Sequence, residues 1–295
     1  MRCDLHVHTR HSGMCTVPVL NRICRESYNP PLAVYEILKR RGMDLVTVTD
    51  HDSIDAVEPL RSHPDFFLSE EVTCYTPSGT ELHMAVYDIQ ERHHTELERR
   101  RFDLMSLIAY LNEQQLFFGI NHVFSSLTGS RTHGDFALFN DHFPAFETLN
   151  GQMPAFCNQR AALLAERLGK PATGGSDAHT LAALGSTYTE VPGARTKSEF
   201  LDGLRRGQSR VHGESGEYWK LTRAVLSIGR ALMRDKAWTV MLAPLLAAVP
   251  AITLATWLND LAFGAKWSGR LGLQVPAPVR APRWMGEPGG GEATP

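Results

Sequence analysis

Acidic and histidine side chains spaced two residues apart recur in this chain, as Asp4-Leu5-His6-Val7-His8, Glu81-Leu82-His83 and Asp177-Ala178-His179. In an extended strand, side chains two apart share a face. Asp4, His6 and His8 therefore converge, with Leu5 and Val7 packing behind them. Thr49-Asp50-His51, Glu71 and His122 close or follow further apolar runs, so His6, His8, His51, His83, His122 and His179 all fall near the ends of predicted strands. An isolated histidine in a strand is ordinarily a packing or surface residue, but six with one positional logic are candidate metal ligands. His11, three residues past His8, is an added candidate. His63, His93 and His94 carry no such argument, and His133, His142 and His212 are weak candidates for touching a substrate.

Mixed imidazole and carboxylate ligation suits zinc, manganese or iron, and so many donors imply more than one ion, with a carboxylate able to bridge two. Clustered ions lower the pKa of a shared water and polarise a phosphoryl oxygen. That supplies nucleophile and electrophile for hydrolysis without a serine or cysteine. Arg22, Arg25 and Arg131 have the chemistry of a phosphate clamp, although a solvated surface arginine is the commoner fate of each.

The elements that must hold these residues alternate. Strand-like runs at 2–7, 44–49, 66–73, 81–87, 117–122, 146–150, 172–176 and 187–191 are separated by helical patterns at 31–41, 96–115, 154–168 and 198–206. Pro31 opens the first of these helices and Gly42 stops it, and Gly169 and Gly207 close the last two. Alternation of this kind predicts an α/β domain with a parallel sheet or barrel. The polar pairs then gather at the carboxyl ends of the strands, where such architectures place their sites.

Asp-Leu-His-Val-His-Thr at 4–9, Thr-Asp-His-Asp at 49–52, an acid after a strand, Ile-Asn-His at 120–122 and Gly-Ser-Asp-Ala-His at 175–179 occur in that order. Over about residues 1–215 the chain thereby resembles the polymerase and histidinol phosphatase (PHP) family. The first and last motifs are specific, whereas Glu71 and His83 are assigned by order and spacing. The resemblance implies a distorted (β/α)7 barrel that binds two to three divalent metal ions (Zn, Mn or Fe) and hydrolyses phosphoesters, as a metal-dependent phosphatase or phosphoesterase. Position by position, it implies that His6, His8, Glu71 and Asp177 hold one metal and that Glu71 bridges to a second completed by His83 and His122. His51 and His179 would bind a third. Glu71 is preferred to Glu70 because the family pattern sets the acid two residues before a hydroxyl residue, as in Glu71-Val72-Thr73. Asp177, His179 and Glu71 become the catalytic candidates, and Asp50 is expected to orient a ligand or a water. The family often adds an acid or histidine a few residues after the first motif. Residues 10–15 contain no acid, which leaves His11 as the substitute and Cys15 as a poorer one. Segment 16–30 is longer than a minimal connection and is expected at the substrate mouth.

A net charge of -2 carries no footprint of a dedicated binder of long nucleic acid. The expected partner is a small phosphorylated substrate: a phosphomonoester such as histidinol phosphate, a nucleotide or short oligonucleotide, or a head-group phosphate. Five cysteines without CxxC spacing suggest neither a disulfide framework nor a zinc ribbon, which fits a reducing compartment. Met1-Arg2-Cys3-Asp4 leads into a polar segment rather than an apolar signal region, so cytoplasmic placement is expected.

Residues 237–258 contain no charged side chain, a length near that needed to cross a bilayer, and follow a basic amphipathic pattern at 220–236 with Arg223, Arg230, Arg234 and Lys236. Two readings follow: peripheral or integral association with the cytoplasmic membrane face, or a buried or oligomerising helical pair. The expected organisation is a metallohydrolase domain at 1–215, a helical apolar segment at 216–262 and a disordered tail at 263–295. Oligomeric state has no signature in the sequence. The competing functional class is a metal-bearing binding or regulatory module tethered by the carboxy-terminal segment. The full ligand set weighs against it, since a site without catalytic duty is free to lose ligands.

Overall fold

Leu5 and Val7 are buried in two separate apolar clusters while Asp4, His6 and His8 are buried on the opposite side, so the alternation of the first segment sets what faces the site. In the computed structural model, which describes residues 1–17 and 19–273, this segment begins as β1 (Arg2–Cys3) and continues extended to His8. Residues 44–49 bond to it on one side and residues 177–178 on the other. The chain continues through α1 (Pro31–Arg40), α2 (Val57–Leu60), β2 (Ser69–Tyr75), β3 (Glu81–Tyr87), α3 (Glu91–Arg100) and α4 (Leu104–Glu113). Then follow β4 (Phe117–Ile120), α5 (His133–His142), β5 (Phe146–Asn150), α6 (Ala155–Leu168), β6 (Ala172–Gly175), β7 (Thr187–Glu190), α7 (Lys197–Arg205) and β8 (Arg210–Gly213). The carboxy-terminal part comprises α8 (Tyr218–Asp235), a 3₁₀ segment (Ala237–Ala248) and α9 (Val249–Arg270).

Two sheets result, one ordered β2-β3-β4-β5-β6 and the other β1-β7-β8. Single bridges at Val7–Ala178, Val46–Phe66 and His51–Glu71 connect the first segment, residues 46–51 and the larger sheet. The expectation of purely parallel βα units is corrected here. β4, β5 and β6 pair in parallel, but β2, β3 and β4 pair antiparallel, as do all strands of the smaller sheet. For β2 and β3 the reason is local: Thr76 N–H donates to Thr80 O at 2.9 Å and Gly79 adopts φ 81°, a tight reversal that leaves no length for a crossover helix.

Pro31 begins α1, and Val34 and Leu38, four apart, bury its inner face. The single helix expected at 96–115 is two helices, because the Asp103 carboxylate accepts from Ser106 N–H at 3.1 Å and starts α4 afresh. The strand expected at 44–49 contributes only bridge contacts, and α2, α5 and β8 add to the elements expected.

The tail expected from residue 263 does not begin there. α9 runs to Arg270 because Trp267 is buried against Phe136 and Phe263 in the main apolar cluster. Burying a large side chain stabilises by about 1.5–3 kcal/mol, enough to order that turn. Residues 274–295 lie outside the described residues. The apolar run 237–258 is not one straight helix: Pro244 sits within the 3₁₀ stretch and Pro250 in the first turn of α9. By length and composition Ala237–Arg270 is apolar enough to cross a membrane, and most of its apolar window is not buried in the protein.

Candidate metal centre

The strand alternation inferred from sequence delivers Glu71 to the middle of a histidine cluster. Its Oε2 lies 3.0 Å from His6 Nε2, 3.3 Å from His8 Nε2 and 3.3 Å from His51 Nε2. Its Oε1 lies 3.3 Å from His122 Nε2 and 3.5 Å from His83 Nδ1. Asn121 Nδ2 donates to Oε1 at 2.7 Å, which fixes the carboxylate. Glu70 points away from this cluster and is bonded to His94 Nδ1 at 2.9 Å, so Glu71 is the acid that faces the imidazoles.

Asp177 Oδ1 joins from the loop after β6, 3.2 Å from His8 Nε2, 3.6 Å from His6 Nε2 and 3.4 Å from His179 Nδ1. The backbone pays for this placement. Asp177 and His122 adopt φ 50° and 28°, left-handed values that non-glycine residues rarely take. Asp177 N–H donating to His6 O at 2.8 Å and His122 N–H donating to Glu147 Oε2 at 2.9 Å hold them there. Gly175 is required for the same approach, since a Cβ there would collide with the His6 backbone nitrogen and Cβ.

Two residues that sequence reasoning missed complete the site. Glu26 Oε1 lies 3.8 Å from His8 Nδ1, from His51 Nε2 and from His179 Nε2. It brings an acid to the side of the cluster where residues 10–15 supply none, from the segment expected only at the mouth. Its sequence signal was no more than an acid within that long segment. Glu147, on β5, accepts from His6 Nδ1–H at 2.8 Å and so orients that ring with Nε2 toward Glu71. Its burial within a strand was the available clue. His11 is not brought into the cluster; its nearest carboxylate is Asp55 at 4.0 Å, away from the other imidazoles.

Asp50 accepts from the Thr9 N–H and hydroxyl, so it fixes the turn after His8 rather than touching a ligand. Asp4 likewise accepts from Ser176 N–H and Gly185 N–H and locks the first segment to the β6 loop. Arg131 is buried and donates to Glu81 O at 2.6 Å and Thr128 Oγ1 at 2.7 Å, a structural tie instead of a phosphate clamp. Arg25 donates to Arg10 O at 2.8 Å, and Arg22 is exposed. His133 stacks edgewise on Trp267, and His212 pairs with Glu190 at 2.9 Å.

Protonation alone does not satisfy this cluster. Burial opposes ionisation of Glu71 and Asp177, yet the surrounding imidazoles hold both carboxyls well below the usual range. Burial also opposes charge on His8 and His83, but their carboxylate contacts raise them to about 10 and about 9. Burial and neighbouring imidazoles push His51 well down and His179 to about 4. Burial raises Glu26 to about 7. Stacked rings, such as His8 and His179 with centroids 4.3 Å apart, cannot all carry charge. His8 Nε2, His83 Nδ1 and Glu26 Oε1 are buried with no hydrogen-bond partner among the described residues. Buried imidazole nitrogens and a carboxylate oxygen left without such a partner, turned toward one another, are the donor atoms that a divalent cation takes. Ligand atoms of His6, His8 and Asp177 lie within 4.8 Å of one another, as do those of His6, Glu71 and His122, of His51, Glu71 and His83, and of His8, Glu26 and His51. The donor set fits divalent cations.

Residues 157–209, which carry α6, β6, Asp177 and His179, match the family model described as PHP-associated. By fold, the chain is similar to a two-domain protein of Bacteroides vulgatus containing a PHP-like metal-dependent phosphoesterase, at 14% identity and a TM-score of 0.55, over 72% of this chain and 65% of that one. It thus spans slightly less than two thirds of that relative's length. It is also similar to PsfC of Pseudomonas syringae, at 16% identity and a TM-score of 0.53, over 79% of this chain and 98% of that one. No curated protein matches.

Proposed function

We propose that this chain is a PHP-domain, metal-dependent hydrolase acting on a small phosphoester, a reading supported by the family-model match over 157–209 and by the similarity of fold. The observation that carries the reading is the Glu71 carboxylate, faced by five imidazoles within 3.5 Å with Asp177 beside them. The phosphoesterase description of the Bacteroides vulgatus relative agrees with it. We read the two sheets and their bridges as a distorted (β/α)7 barrel with this site at its strand ends.

His6, His8, Glu71 and Asp177 would hold one cation, His83 and His122 with Glu71 a second, and His51, His179 and Glu26 a third. Cations there would supply a water of lowered pKa and a Lewis-acid contact to a phosphoryl oxygen. The chain's own contribution is orientation. Glu147 sets the His6 ring, Asn121 sets Glu71, and Ser12 Oγ, 2.8 Å from His8 Nδ1, sets His8. His6, His8 and Glu71 are at most 1% exposed, whereas His179, His51 and His83 are 24%, 18% and 17% exposed. Substrate would therefore enter over the His179, His51 and His83 side, and Asp177 and His179 are the groups to which we assign the catalytic roles beside Glu71.

A panel of phosphomonoesters, nucleotides and short phosphodiesters, assayed with the wild type, Asp177→Ala and His179→Ala, tests this. Turnover of at least one substrate, abolished in both variants with circular dichroism unchanged, is expected. Turnover retained in both would refute the assigned roles.

A further inference from the structure

We propose that α8 together with the apolar run 237–258 forms a face that docks on an anionic lipid bilayer surface, peripherally and without spanning it. Trp238, Met241, Leu245, Ile252 and Leu258 are 56%, 74%, 57%, 56% and 50% exposed on adjoining elements. No charged residue interrupts 237–258. Large apolar side chains left exposed on neighbouring elements mark an interaction site.

The charge beside it selects the partner. Arg223, Arg230 and Arg234 recur at helical spacing and are exposed, so they form one stripe along α8, headed by Trp219 at 58% exposure. None of the three arginines lies within 4.0 Å of a carboxylate among the described residues, and Asp235 is the one acid in α8. A cationic stripe with aromatic and aliphatic neighbours is the composition of an interfacial lipid-binding face. A second copy of the chain is a poorer occupant, because a two-fold contact sets the same arginine stripe against itself.

Spanning is opposed by the second half of α9. Asp260 Oδ1 accepts from Ser126 N–H at 2.8 Å and from the Ser126 hydroxyl at 2.7 Å, and Trp267 is buried in the core. Drawing that helix across a bilayer would break both. The face is also tied to the centre. Asp260 holds the loop that follows His122, and Lys236 Nζ donates to Ile23 O at 2.9 Å, three residues before Glu26. Lipid docking would thus act on a body that carries the site rather than on a detached tail.

Flotation of the full, metal-loaded chain with vesicles of phosphatidylcholine, alone or mixed with phosphatidylglycerol, tests this directly. Recovery with the phosphatidylglycerol vesicles, weakened by added salt, is expected. The triple variant Arg223→Gln, Arg230→Gln, Arg234→Gln should bind about tenfold or more weakly, and Met241→Asp should bind weakly with circular dichroism and metal content unchanged. Failure of the wild type to float overturns the proposal, as does equal flotation of wild type and triple variant. Dimerisation by light scattering without flotation overturns it in favour of a second copy.

Discussion

Oε1 of Glu26 stands 3.8 Å from Nε2 of His179, buried and with no hydrogen-bond partner among the described residues. A carboxylate oxygen left in that state costs about 1–3 kcal/mol unless a cation meets it. The residue is therefore best explained as a ligand, and it links a long irregular segment to the motif near residue 177.

Glu26→Gln should lower the number of bound divalent ions by one while leaving the fold intact. Metal analysis after gel filtration reads this, with His11→Ala as the control that keeps the full complement. Unchanged stoichiometry in Glu26→Gln, or loss in His11→Ala, would reverse the assignment.

Glu147 acts through His6 and not on substrate, so its removal should weaken metal binding before it affects anything else. Glu147→Gln keeps the shape and loses the charge that orients His6 Nδ1. Metal affinity by competition with a chelating dye should fall about 10–100-fold, and turnover should recover when metal is supplied in excess. A variant that binds metal as the wild type does would show that the contact is only structural.

The pH dependence differs between the metal-free and loaded states. In the metal-free protein His8 and His83 are raised to about 10 and about 9 by their carboxylate contacts, against burial. A raised imidazole contributes stability that is complete below its unfolded value of about 6.5 and is lost as pH climbs through the folded value. The melting temperature of the metal-free protein should therefore fall from about pH 6.5 to about pH 10, where both folded imidazoles have lost their protons. Imidazole binds metal in its neutral form, so loading at about pH 8 should release protons. Calorimetric titration in buffers of different ionisation enthalpy measures the release. A heat independent of buffer would contradict these protonation states.

Much of the site was legible because its logic is local. Parity in 4–8, 81–83 and 177–179 needs only a strand, and the structure brings His6, His8, His83, His122, His51, His179, Glu71 and Asp177 together. Glu26 was not legible, because residues 16–30 are largely irregular and parity has no meaning there. Glu147 was hidden by looking like an ordinary strand residue. The antiparallel β2–β3 pair escaped notice because a five-residue reversal at Thr76 to Thr80 leaves a weaker trace than a helix. The break before α4 rests on one capping carboxylate, Asp103, inside an otherwise continuous helical pattern.

The central claim is that ions held around Glu71 and Asp177 carry the hydrolysis. Exhaustive chelation followed by add-back of zinc, manganese or iron, with release of phosphate or alcohol from a phosphoester followed throughout, addresses it most directly. Turnover should disappear with the metal and return on add-back in the wild type but not in Glu71→Gln. Turnover that survives complete metal removal would contradict it.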